Sequence, residues 1–142
     1  HSPAPPALKR LESGDFLAAW GGVASLELLL SATWTAAAAR GRGIGDLARW
    51  LAAHPARLAA LGHRKGSIAP GYDADLVIWD PDARYTVDPS RLHHRHPITP
   101  YAGKALRGMV RQTFLRGQCV YGRGRFPAPP RGEWVRPGGR TT

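Results

Sequence analysis

The chain has 142 residues, 43% of them hydrophobic, with 17 glycines, 13 prolines and a formal net charge of +10. That length gives one ordinary domain's worth of core, and a single cysteine, Cys119, excludes an internal disulfide. The twenty basic residues are nearly all arginine and lie scattered, with no run of five, so the charge leaves no footprint for a nucleic-acid partner and none is expected.

The first fifteen residues read as loop, because Pro3, Pro5 and Pro6 leave no room for a helix interior. The chain opens at His1 with no methionine and no secretory signal, and the expectation is a piece of something longer. From Phe16 to Ala39 it is mostly apolar, and Val23, Leu26, Leu30, Trp34 and Ala37 recur at helical spacing. Glu27 and several Ser and Thr interrupt this stretch, so no membrane partner is expected. Gly21-Gly22 suits a tight turn where backbone must approach something closely.

Arg40-Gly41-Arg42-Gly43 ends the first helix. A second follows, with Gly43 as N-cap, Asp46 in its first turn and Leu47, Trp50 and Leu51 as its apolar face. His54-Pro55 is expected to interrupt it, since the residue before proline avoids helical backbone. A short helix from Ala56 to Leu61 then closes at Gly62. Beyond Gly62 the pattern becomes extended. Leu76 to Trp79 reads as a strand buried on both faces, with further short strands at Tyr85–Val87, Met109–Leu115 and Cys119–Tyr121. Arg116-Gly117 between the last two is a hairpin signal. Cys119 on such a strand reads as a small buried hydrophobe, consistent with a reducing, intracellular and most simply cytoplasmic home. From Gly122 onward the Gly/Pro/Arg-rich sequence predicts a disordered tail.

Two groups of residues invite a chemical reading. Asp73 and Asp75, two apart, share one face of an extended segment and so resemble a carboxylate pair. Their neighbours, Gly71, Tyr72 and then a strand, offer no cleft, so the favoured role is to satisfy turn N–H groups and block edge pairing. His93, His94 and His96 contain an H-x-H pair, but no further ligand lies at metal spacing, and three protein ligands are the usual minimum. Both groups are therefore read first as structural, with a carboxylate pair and a two-histidine metal contact as the less favoured alternatives. The residues alone predict helices handing over to a small β unit and name no reaction.

The stretch "KGSIAPGYDADLVIWDP" resembles the point where metal-dependent cyclic amidohydrolases return from their barrel to a small β-sandwich, and "PARLAALG" before it fits the same family. Within it, "HSPAPPALK", "FLAAWGGVASLELLL" and "LHHRHPITPYAGKALRGMVRQTFLRGQCVY" are similar to the allantoinase branch, so the resemblance covers residues 1 to about 121. It implies an α/β fold: the C-terminal end of a TIM-barrel amidohydrolase in residues 1–62, then part of a small β-sandwich in 63–121, then the tail, 122–142. It also implies a two-zinc site whose ligands all lie outside this chain, the last an aspartate just before His1, and a chain that is inactive alone. A hydroxide bridging the metals would attack a ring amide of allantoin, a small-molecule substrate, giving allantoate in purine catabolism. Gly21 and Gly22 would be the substrate-binding residues, through their backbone, and the full-length enzyme would be a homo-oligomer. Other readings stay open. A dihydroorotase would carry a histidine where Ala4 stands, and a dihydropyrimidinase or hydantoinase an Asn-containing loop in place of Trp20-Gly21-Gly22. A non-catalytic homologue with a structural or interaction role is the remaining alternative.

Overall fold

The structure, a computed structural model, describes residues 4–127 and 129–136. Its helical half comes first. A 3₁₀ turn, Leu26–Leu28, runs into helix α1, Leu29–Ala38. The helix therefore starts later than the apolar run suggested. Residues 16–25 instead form a turn and irregular backbone: the Asp15 carboxylate accepts the N–H groups of Leu17 and Ala18 at 3.1 Å, and Gly22 adopts φ of +82°. Phe16 and Leu17 project outward almost fully exposed.

Helix α2, Ile44–Ala48, starts at Gly43, whose N–H donates to the Asp46 carboxylate at 3.1 Å. Here the expected break at His54-Pro55 does not occur. A π-turn, Arg49–Ala53, carries the helix directly into α3, His54–Leu58. The His54 N–H reaches back five residues to the Arg49 carbonyl, and His54 itself is helical, with φ −69° and ψ −46°. The widened turn gives the ring of Pro55 space and asks no N–H of it. On this run Leu47 is buried and Leu51 half-buried, but Trp50 remains exposed. The final turn closes earlier than expected, with Ala60 at φ +57°.

Strands β1, Leu76–Thr86, β2, Ala105–Leu115, and β3, Gln118–Gly122, form one antiparallel sheet in the order β1-β2-β3. Leu76 pairs with Phe114 and Thr86 with Ala105. The two short strands read from the sequence thus belong to one. The register slips between Asp80 and Arg84, where the Asp80 carboxylate accepts the N–H groups of Asp82 and Ala83 at 3.0 Å around Pro81. The β2–β3 hairpin turns through Arg116 at φ +49° and Gly117 at φ +79°, the left-handed pair that a two-residue turn requires. The expectation that β1 is buried on both faces is not met: Val77 and Ile78, on opposite faces, are 45% and 51% exposed, since among the described residues neither face is fully covered there.

Helix and sheet meet in two buried clusters. Leu28, Val87 and Leu106 form one buried cluster, and Trp34, Ala37 and Leu47 form another, against which Trp79 packs. Where α1 crosses β2, the Ser31 hydroxyl donates to the Gly108 carbonyl, the Thr35 hydroxyl accepts the Arg107 N–H at 2.8 Å, and Trp34 Nε1 donates to the Pro81 carbonyl at 2.9 Å. Trp34 and Trp79 meet edge to face at 5.6 Å. Gly108, at φ +94°, makes this crossing possible, because a Cβ there would stand 2.9 Å from both indole rings.

Candidate substrate loop

Residues 4–25 build a loop on two anchors, Ala4 and Ala24, both buried. A 3₁₀ turn at Pro6–Lys9 ends at Arg10 with φ +51°, and the Trp20 N–H donates to the Leu8 carbonyl at 2.7 Å, closing the loop's base. Lys9 then reaches across it. Its ammonium donates to the carbonyls of Trp20 at 3.1 Å, Gly21 at 3.1 Å and Gly22 at 2.9 Å. Gly21 and Gly22, the pair assigned to substrate binding by resemblance, are both exposed, between the Trp20 closure and the buried Ala24. Gly22 needs its left-handed backbone, whereas a Cβ at Gly21 would meet nothing within 4 Å.

Just beyond the loop, Glu27 ties it to the sheet side. Its carboxylate accepts the His93 N–H at 2.8 Å and lies 3.0 Å from His93 Nδ1. The His93 ring also packs edge-on against Phe126 and Tyr121, at 4.9 and 5.9 Å. His93 is thus engaged in packing the Glu27 turn against β3. Among the described residues no group of three or more His, Cys, Asp or Glu converges as a metal centre requires.

The two aspartates are occupied by neighbours. Asp73 accepts Arg64 Nε and Nη2 at 3.0 Å, one on each oxygen, and Lys65 approaches at 2.9 Å. The Arg64 guanidinium first, and the Lys65 ammonium second, hold the Asp73 carboxyl below the usual carboxylate range. Asp75 pairs with Lys65 and accepts the Arg116 N–H at 2.9 Å, while the Gly117 N–H donates to the Ala74 carbonyl at 2.9 Å. This cluster stitches the segment before β1 to the β2–β3 hairpin. The arrangement fills the carboxylate oxygens with cations and backbone donors, as a structural turn does. Beyond the hairpin, Arg116 also pairs with Glu133 at 2.6 Å and donates to the Arg131 carbonyl at 3.1 Å. Sequence reasoning found both aspartates and the glycines, but not Lys9, Arg64 or Lys65. Lys65 lies in the same stretch as the acids; Lys9 is eleven residues from Trp20, and no spacing rule connects them.

The pattern of the amidohydrolase family matches residues 29–121. An allantoinase of Streptomyces avermitilis is 46% identical over 124 residues, covering 87% of this chain and 28% of that protein. A probable allantoinase of Oryza sativa subsp. japonica is 43% identical over 123 residues, covering 85% of this chain and 24% of that protein. Among solved structures, a D-hydantoinase (dihydropyrimidinase) from Thermus sp. matches with a TM-score of 0.80 and 29% identity, over 91% of this chain and 28% of its own. The chain spans only 24% and 28% of the two curated relatives' lengths. With residues 29–121 matched by the family pattern, well over half of its length, the chain belongs to the amidohydrolase family.

Proposed function

We propose that the complete protein carrying this segment is an allantoinase, adding water across a ring amide of allantoin to give allantoate. The ring C–N bond breaks, the carbonyl carbon becomes a carboxylate and the ring nitrogen leaves with a proton. The observation that carries this reading is the identity of 46% and 43% to curated allantoinases over most of the chain. In this reading residues 1–62 end a TIM barrel and contribute the Gly21-Gly22 loop, whose backbone contacts the ring amide. Residues 63–121 form the C-terminal part of a β-sandwich, and 122–142 form a tail. The half-exposed Val77 and Ile78, which point to opposite faces of β1, leave apolar surface that a second sheet on one face would partly cover. A zinc pair, held by residues other than those described, would serve the hydrolysis. The reaction would take place in the cytoplasm, in a homo-oligomer.

The likeness to a D-hydantoinase (dihydropyrimidinase) structure favours a second reading, hydrolysis of a six-membered or simpler five-membered cyclic amide. Measuring kcat/KM of the complete protein on allantoin, hydantoin and dihydrouracil separates the two. Allantoin is expected to be preferred by at least about two orders of magnitude, within the roughly 10⁴–10⁵ open to a site that hydrogen-bonds a group its competitor lacks. Preference for hydantoin or dihydrouracil would support the second reading, and hydrolysis of none would refute both.

A further inference from the structure

Three consecutive carbonyls converge on one ammonium in the 20–22 loop, and the geometry has a consequence on its opposite side. The Lys9 ammonium has three N–H donors and no acceptor, and the carbonyls of Trp20, Gly21 and Gly22 take contacts at 3.1, 3.1 and 2.9 Å. In a trans peptide the C=O and N–H point in opposite directions, and the described chain holds no cis peptide bond. Turning these carbonyls toward Lys9 turns the N–H groups of Gly21, Gly22 and Val23 away from it, on a segment whose three residues are exposed. Without a cation, three carbonyl dipoles facing one point repel one another. The φ of +82° at Gly22 is the backbone state that allows the convergence. We infer that Lys9 is a positioning residue: by gathering the Trp20, Gly21 and Gly22 carbonyls, it holds the loop's N–H groups outward as donors to the substrate's ring amide.

This inference rests on the reading of the 20–22 loop as a substrate contact. The contact is made in the ground state as well as the transition state, so its loss falls on KM. In a complete allantoinase chain carrying this segment, Lys9→Ala is expected to raise KM for allantoin by about tenfold or more, the worth of charge-assisted hydrogen bonds, with kcat changed much less. Added n-propylammonium should restore KM toward the parent value, and n-butanol, of similar size without charge, should not. An unchanged KM, a loss confined to kcat, or equal rescue by the alcohol would overturn the inference. Gly21→Ala tests the underlying reading separately. Its methyl meets nothing within 4 Å in the folded chain, so a rise in KM there reports substrate contact, not a disturbed loop. If Gly21→Ala leaves KM unchanged, the loop does not touch substrate; if it raises KM while Lys9→Ala does not, the loop reading survives and the role of Lys9 fails.

Discussion

Asp73 shows how a residue that looks catalytic in the sequence is used in the fold. Both of its oxygens are taken by Arg64 and Lys65, which hold its carboxyl below the usual range and leave it a poor general base near neutral pH. A carboxylate with a depressed folded pKa contributes stability that is full above its unfolded value, about 3.9, and is lost as pH falls through the folded value. Asp73→Asn is therefore expected to cost about 1–2 kcal/mol at pH 7 and to flatten the loss of stability below pH ~4. Urea melts of the complete protein at a series of pH values check both. A variant as acid-sensitive as the parent would show that the Arg64–Asp73–Lys65 cluster does not carry this linkage. The acids were visible in the sequence. Their role was legible only in outline, because the decisive partners were the cations just ahead of the turn and a backbone N–H from the distant hairpin.

At the scale of elements, the sequence revealed what depends on neighbouring residues. Arg116-Gly117 announces the hairpin because only certain residue pairs adopt two successive left-handed states, and Gly43 with Asp46 marks the start of α2. α1 starts later than its apolar run implies because such a run specifies burial in general, whereas the Asp15 turn and the Gly22 backbone fix the path. Continuity through Pro55 was hidden because it depends on a π-turn, which no periodicity of 3.6 announces. The docking of α1 on β2 was equally invisible, since it rests on contacts between residues 31–35 and 107–108. Gly108→Ala tests that docking. With a left-handed backbone and two indole rings at 2.9 Å, the added methyl is expected to destabilise the complete protein by about 2–4 kcal/mol, read as a lower denaturant midpoint. A midpoint within error of the parent would show that the helix shifts freely on the sheet.

For the molecule as a whole, the described residues bury two small clusters and leave large apolar groups in the open. Leu58, Ile68, Phe16 and Leu17 are 90% exposed or more, and Val77 and Ile78 about half. The 142-residue chain alone is accordingly expected to be poorly soluble or molten, binding a hydrophobic dye and melting without a sharp transition. A cooperative melt with well-dispersed amide resonances would contradict this. It is also expected to retain less than one zinc per chain after dialysis, since no described cluster supplies three ligands. A tightly held metal lost in the double variant His94→Ala, His96→Ala would make the histidine loop a real site. The proposed division of labour gives substrate contact to the backbone of the 20–22 loop and leaves Asp73 and Asp75 to shape a turn. The most direct test is allantoin turnover by a complete chain carrying the segment, with Gly22→Val and Asp73→Asn measured side by side at matched folded concentration. Gly22→Val, which adds bulk and cannot keep φ +82° without strain, is expected to lose most of kcat/KM, while Asp73→Asn stays within a few-fold of the parent. Turnover abolished by Asp73→Asn in a normally folded protein, with Gly22→Val still active, would contradict it.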